Sequence, residues 1–196
     1  MPRQPVGDEP AELLGKRERL VIAACELLHH RGVEATTLAD IAQAADVPLG
    51  NVYYYFKTKD EIVAAVARAH VDQIEAMAAS LERGHRTPKS RLKALVRMVA
   101  GQREPIAQYG CPYGTLCADL AKREGEEPSE RAAQLMTTLI SWTEQQLVAM
   151  GRRDAHDLAV EIIVAYQGSA LVASALGDAT FFTEQMRRVE KRIDAL

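Results

Sequence analysis

Apolar residues recur along the chain at intervals of three and four, with almost no sustained alternation of the kind a half-buried strand needs. The pattern predicts an all-α protein. From about Leu13 to Arg31, Leu20, Ala24, Leu27 and Leu28 share one face, and Gly32 suits the end of that helix. Thr37-Leu38-Ala39-Asp40 announces a second, short helix, with a capping threonine, an acid in the first turn, and Leu38, Ile41 and Ala45 facing inward. Asp46-Val47-Pro48 breaks it, because the residue before proline avoids the α region and aspartate tolerates a left-handed turn. Pro48 fits the first turn of a third helix ending near Phe56. Thr58 to Glu61 has the form of a capping box and starts a fourth helix towards Arg83, roughly 39 Å long. Ile62, Val66, Ala69, Gln73, Met77 and Leu81 lie along one side of it. Further helices are expected at 88–103, 114–123, 129–150, 155–176 and 180–194, about nine in all. The stretch 101–114, GQREPIAQYGCPYG, reads as the least helical part of the interior. The expected organisation is a flexible tail over 1–12, a three-helix domain over 13–57 and a larger helical domain over 58–196.

The third helix carries an unusual load. Tyr53, Tyr54, Tyr55 and Phe56 are four of only ten aromatic residues in the chain, followed at once by Lys57 and Lys59. On a helical wheel with Val52 at zero, Leu49, Tyr55 and Phe56 fall within about 60° of it, while Gly50, Asn51, Tyr53 and Tyr54 point away. The first set is expected to hold the helix to a small core and the second to face outward. Asparagine can read adenine edges, tyrosine hydroxyls and lysines can meet phosphates, and a glycine permits close approach of another backbone. Taken alone, a Tyr-rich amphipathic helix is more often part of a protein core or interface than a reader of DNA. Its place as the second of two short helices joined by a tight turn favours a helix-turn-helix that reads DNA.

Bulk composition neither requires nor forbids that partner. The net charge is −3 and the pI about 6.0, so any attraction to nucleic acid must be local. Up to Lys59 the basic residues Arg3, Lys16, Arg17, Arg19, Arg31, Lys57 and Lys59 are matched by about as many acids. No run of about eighteen uncharged apolar residues is present, and the N-terminal MPRQPVGDEPAE lacks the apolar stretch of a signal peptide, so neither a membrane partner nor export is expected. The expected location is the cytoplasm. Cys25, Cys111 and Cys117 are odd in number and lack zinc-ligand spacing, and no cofactor or metal is expected.

Gly32 followed by residues 35–62, ATTLADIAQAADVPLGNVYYYFKTKDEI, resembles the N-terminal signature of the TetR family of bacterial transcriptional regulators. The resemblance is dense over about residues 15–63 and rests further on only in the number and order of helices. It implies a helix-turn-helix domain with a helical effector-binding and dimerisation domain behind it. It also implies a homodimer that binds a double-stranded, palindromic operator and releases it when a small molecule binds. Thr37, Tyr53 and Lys57 would contact phosphates, and Asn51 and Tyr54 would lie nearest base edges, with Gly50 and Pro48 beside them. Asp46 stands where the family's turn often has glycine and Pro48 where serine is frequent, the latter at the expense of a phosphate contact.

For the C-terminal half, Met98, Tyr109, Tyr113, Leu116, Met136, Leu139, Trp142 and Tyr166 are candidates to line an adaptable, partly apolar pocket, although for any one of them ordinary core packing is the better reading. Leu158, Ile162, Ser169 and Val172 on one late helix, and Phe182, Met186, Val189 and Ile193 on the last, form apolar stripes. By resemblance they would build a four-helix interface between two copies; read from the residues alone they close the monomer's own core. GCPYGTLC, from Gly110, looks like a Gly-Cys-Pro loop found in some of these regulators, and Cys111 or Cys117 could sense oxidants or electrophiles. A helical thiol-dependent enzyme is the competing class. The histidines at 29, 30, 70, 85 and 156 form no ligand or catalytic spacing, so a non-enzyme is expected.

Overall fold

The computed structural model describes residues 15–123 and 129–196; the tail expected over 1–12 lies outside the described residues. All regular elements among them are helices, ten in number: α1 Lys16–Arg31, α2 Leu38–Ala44, α3 Leu49–Tyr55, α4 Lys59–Gly84, α5 Pro88–Gly101, α6 Arg103–Tyr109, α7 Pro112–Arg123, α8 Glu130–Ala149, α9 Ala155–Leu176 and α10 Ala179–Ala195. The helix beyond the expected nine is α6. Its Gly101 and Gly110 flanks end helices rather than forbid one between them, and Ile106 and Ala107 bury its inner side.

Two compact units divide inside α4, at Ala69/His70 rather than at residue 58. The shift has a physical reason: Ile62, Val63, Val66 and Ala67 in the first turns of α4 are all buried and belong to the first unit. That unit is otherwise built on Leu20, Ala24 and Leu28 of α1, Ile41 of α2, and Val52 and Phe56 of α3 and its end. The junction between α2 and α3 is a Schellman turn. The Val47 amide donates to the Ala42 carbonyl at 2.9 Å and the Asp46 amide to that of Gln43 at 3.2 Å, with Asp46 at φ 49 and Val47 buried. Asp46 is the one non-glycine residue with positive φ among those described. Aspartate accepts this conformation because its short polar side chain bonds locally, whereas a Cβ without that polar group costs about 1 kcal/mol or more. Asp46→Ala is therefore expected to lower unfolding free energy by about 1 kcal/mol and Asp46→Gly to leave it unchanged or higher, as urea denaturation would read.

The second unit packs α9 against α6, α8 and α10, with α5 closing on α8 and α10 and α7 on α8. Its core includes Leu92, Leu95, Ile106, Trp142, Leu147, Ile162, Phe182, Met186 and Ile193. Ion pairs tie α5 to α10, Lys93 to Asp194 at 2.6 Å and Arg97 to Glu190 at 2.7 Å, and Arg192 on α10 pairs with Glu161 on α9. By length and composition α9 could cross a membrane. It is apolar on more than one face for a different reason, since Leu158, Ile162 and Ala173 enter the core while Val164, Leu171 and Leu176 remain 63%, 71% and 65% exposed.

Candidate nucleic-acid interface and the C-terminal cluster

The turn and the core fix which side of α3 is presented. Val52 and Phe56 are buried, Tyr55 and Asn51 are half-buried, and Tyr53 and Tyr54 are 48% and 77% exposed. Val52, Phe56, Tyr53 and Tyr54 divide as the wheel requires, while Asn51 and Tyr55 lie between the two sides. Leu49, expected in the core, is 42% exposed. It lies at the first position of a seven-residue helix, at the edge of the buried arc, and shares its side of the helix with Tyr53 four residues on. Pro48 stands just before α3 as its N-cap rather than in its first turn, and supplies no side-chain acceptor to the helix amides. A Cβ placed on Gly50 would meet no atom within 4 Å, so nothing inside the chain requires glycine there.

Two of the expected phosphate ligands are already engaged. The Thr37 hydroxyl donates to the Asp40 carboxylate at 2.6 Å and accepts from the Asp40 amide at 3.1 Å, while the Thr37 amide donates to the same carboxylate at 2.8 Å. These bonds to the ionised form hold the Asp40 carboxyl below its usual range. Thr37 is first a helix cap, and a phosphate would have to draw its hydroxyl proton away from Asp40. The Lys57 ammonium donates to the Tyr53 carbonyl at 2.5 Å, capping the end of α3, and two of its three hydrogens remain for another acceptor. The Lys57 amide donates to Glu61 at 2.7 Å and the Glu61 amide to Thr58 Oγ1 at 3.2 Å, which closes the start of α4.

In the second unit the eight pocket candidates separate. Leu116, Leu139 and Trp142 are buried; Tyr109, Tyr113, Met136 and Tyr166 are half-buried; Met98 is 40% exposed on α5. Tyr113 and Tyr166 are brought together around Cys111. The Tyr166 hydroxyl donates to Cys111 Sγ at 3.0 Å and the Gln167 amide at 3.4 Å, and the Tyr113 ring lies 5.2 Å from that of buried His70. Burial pushes the Tyr166 phenol well above its usual range, so it stays a donor. Gly114 makes the approach of Gln167 possible, since a Cβ there would lie 2.4 Å from Gln167 Oε1. His70 and Gln167 were not among the candidates, and no local pattern marks them, because their partners lie far along the chain. Cys117 donates to the Ala132 carbonyl at 3.5 Å, and burial pushes its thiol up to about 11. Held protonated by its burial, the Cys117 thiol is a poor nucleophile at neutral pH.

The stripe expected between two copies is mostly inside one. Leu158, Ile162, Phe182, Met186, Val189 and Ile193 are buried in the monomer, each 8% exposed or less, and of these Ile162 and Val189 also line an open groove. Of the original set Val172 is exposed and Ser169 half-buried, and both line an open groove of about 410 Å³ between α9 and α10, with Val164, Gly168 and Phe181. Val164 and Val172, together with Leu171 and Leu176, are also the exposed large apolar residues of α9. The sequence does carry a signal for them, since a helix apolar on nearly all sides needs a second covering surface.

Known proteins share the helix-turn-helix sequence and the helical fold. Residues 20–66 match the family model described as bacterial regulatory proteins, tetR family. An HTH-type transcriptional regulator of Mycobacterium tuberculosis, Rv0196, is 26% identical over 177 residues, covering 85% of this chain and 88% of that one. The HTH-type transcriptional repressor KstR2 of Mycolicibacterium smegmatis is 35% identical over 65 residues, 33% of this chain and 32% of its own. Among solved structures, a TetR transcriptional regulator from Legionella pneumophila superposes with a TM-score of 0.77 at 21% identity, over 92% of this chain and 98% of that one. A TetR-family regulator from Agrobacterium tumefaciens gives 0.73 at 25% identity, over 90% and 96%. Over residues 20–66 the chain thus carries the helix-turn-helix of the tetR family of bacterial regulatory proteins, and behind it the helical architecture of solved TetR-family regulators.

Proposed function

We propose that the protein is a cytoplasmic, homodimeric repressor that binds a palindromic DNA operator and leaves it when a small, partly apolar effector occupies the second unit. The observation that carries the reading is the outward face of α3, where Asn51, Tyr53 and Tyr54 surround a glycine whose missing side chain nothing inside the chain requires. Such a face fits the major groove, with Asn51 and Tyr54 towards base edges and Tyr53, Lys57 and Thr37 towards phosphates. Exposed Leu49 adds an apolar contact of the kind that suits a thymine methyl. The acidic bulk charge makes the non-specific component small, and the part of the affinity that rests on phosphate contacts such as that of Lys57 should fall as salt rises.

Dimerisation through the exposed side of α9 would present two α3 helices to half-sites about 34 to 36 Å apart. Release follows if the effector binds better to the conformation that cannot hold DNA. Because α4 is one continuous helix through the boundary between the units, a displacement of its C-terminal half is carried to its first turns, next in sequence to α3. The thiol-sensing alternative loses support at Cys117, whose sulfur is held protonated. The test is selection of duplexes from random sequence by the purified full-length protein. The expected product is an inverted repeat whose half-sites are one helical turn apart; enrichment of no sequence, or of an unrepeated one, would overturn the reading.

A further inference from the structure

The C-terminal half of α4 and the facing side of α8 leave an open groove of about 690 Å³, within the size range of small-molecule sites. Its floor is apolar and low, formed by Ile74, Ala78, Ala79, Ala133 and Trp142. Three carboxylates line it as well, Glu75 and Glu82 from α4 and Glu130 from α8, and no lysine, arginine or histidine does so among the described residues. The Trp142 indole N–H donates to Glu82 Oε1 at 3.0 Å, which holds that carboxylate beside the ring and leaves its second oxygen for another donor. Glu75 and Glu130 make no hydrogen bond or ion pair with a described residue; Glu130 has only the favourable first turn of α8.

We infer that this groove is the effector site and that its ligand is an organic cation with an apolar body. The inference rests on the ligand-responsive reading above. It adds the chemical class, and the argument is complementarity of charge over a trough of matching polarity. An apolar body gains by covering the alanines that line the groove, Ala78, Ala79 and Ala133, and the small part of Trp142 that reaches it. A positive charge gains from the carboxylates of Glu75, Glu82 and Glu130 on two helices, whereas an anion of the same shape meets three like charges and no counter-charge among the described lining residues. The remaining lining is amides and hydroxyls, Gln134, Thr137, Ser141 and Gln145 among them, which accept or donate as needed and set no opposite preference. The site also places the ligand directly on α4, the one helix shared by both units.

The test uses the full-length protein with tetraphenylphosphonium as probe and triphenylphosphine oxide, neutral and nearly as bulky, as its control. Trp142 is the only tryptophan, so its fluorescence reports the groove directly. The cation is expected to bind and shift the emission, and the neutral compound to bind at least about tenfold more weakly. The double variant Glu75→Gln with Glu130→Gln should weaken the cation roughly five- to twentyfold and bring the two compounds together. If that variant folds poorly, Glu82→Gln serves instead, because its amide oxygen still accepts from the indole. Equal affinity for the two compounds, no binding of the cation, or unchanged affinity in the folded variants would each overturn the assignment. Operator affinity, measured on the same samples, separates the two proposals: a cation that binds with the expected charge dependence yet leaves DNA affinity unchanged keeps the site and refutes its role in release.

Discussion

Leu171→Glu combined with Leu176→Glu is expected to leave each protomer folded while dissociating the proposed dimer, whereas Ile193→Glu should unfold the second unit outright. The difference is one of place. Ile193 is fully buried, and a carboxylate there has no counter-charge in a packed apolar core, so a loss of about 4 kcal/mol or more is expected, a large part of a domain's stability. Leu171 and Leu176 are 71% and 65% exposed, so the same change costs the monomer almost nothing. In a two-fold pair the exposed stripe of Val164, Leu171, Val172 and Leu176 supplies eight apolar side chains. At roughly 1 to 2 kcal/mol for each newly covered part, they exceed the cost of association by only a small margin. Half of them lost, with four carboxylates added across a shared interface, reverses the balance. Sedimentation and circular dichroism together decide it: a double variant that stays dimeric would move the interface elsewhere, and an Ile193→Glu protein that stays folded would contradict the core.

The same comparison shows what a linear sequence discloses. Periodicity of three and four gave Phe182, Met186, Val189 and Ile193 as one stripe, and the stripe is real, but period alone does not say whether its partner is the same chain or another. That is a question of what packs against α10, and α5, α6 and α9 answer it only once folded. The first unit was more legible because its determinants are local. Thr37 caps over Asp40 three residues on, Asp46 takes the left-handed turn, and Val52 and Phe56 bury one side of α3 as the wheel requires. Leu49 departs from it because a two-turn helix has an edge where the arc of burial gives out. Across the second unit the informative pairs are separated by tens of residues: Trp142 with Glu82, Tyr166 with Cys111, Arg91 with Gln146. Trp142 and Tyr166 could be singled out as side chains whose polar atoms need partners, but the identity of those partners is set by topology.

Phe56→Ala is expected to destabilise the first unit by about 3 to 5 kcal/mol and to lose DNA binding with it. The ring is 3% exposed at the end of α3, and the Arg17 guanidinium lies 5.3 Å from its centre, so truncation leaves a cavity and removes a cation–π contact together. A small unit has few other large side chains with which to compensate. Tyr54→Ala, two positions earlier, should behave in the opposite way. Its ring is 77% exposed and touches the rest of the chain chiefly edge-on at Tyr55, 5.0 Å away, so the unfolding temperature should hardly move. If the hydroxyl or ring meets a base edge, operator affinity should fall by about 1 to 3 kcal/mol and discrimination at that base pair should relax. Gly50→Ala sharpens the distinction, because the added methyl meets nothing within the chain and alanine is the better helix former by up to about 1 kcal/mol. That variant should be as stable as the parent or more so, and should bind the selected operator less well if the backbone of α3 lies close against DNA. Thermal unfolding measured beside operator affinity for the three proteins gives the answer: stable Tyr54→Ala and Gly50→Ala variants that both keep full affinity would show that this face of α3 does not read DNA.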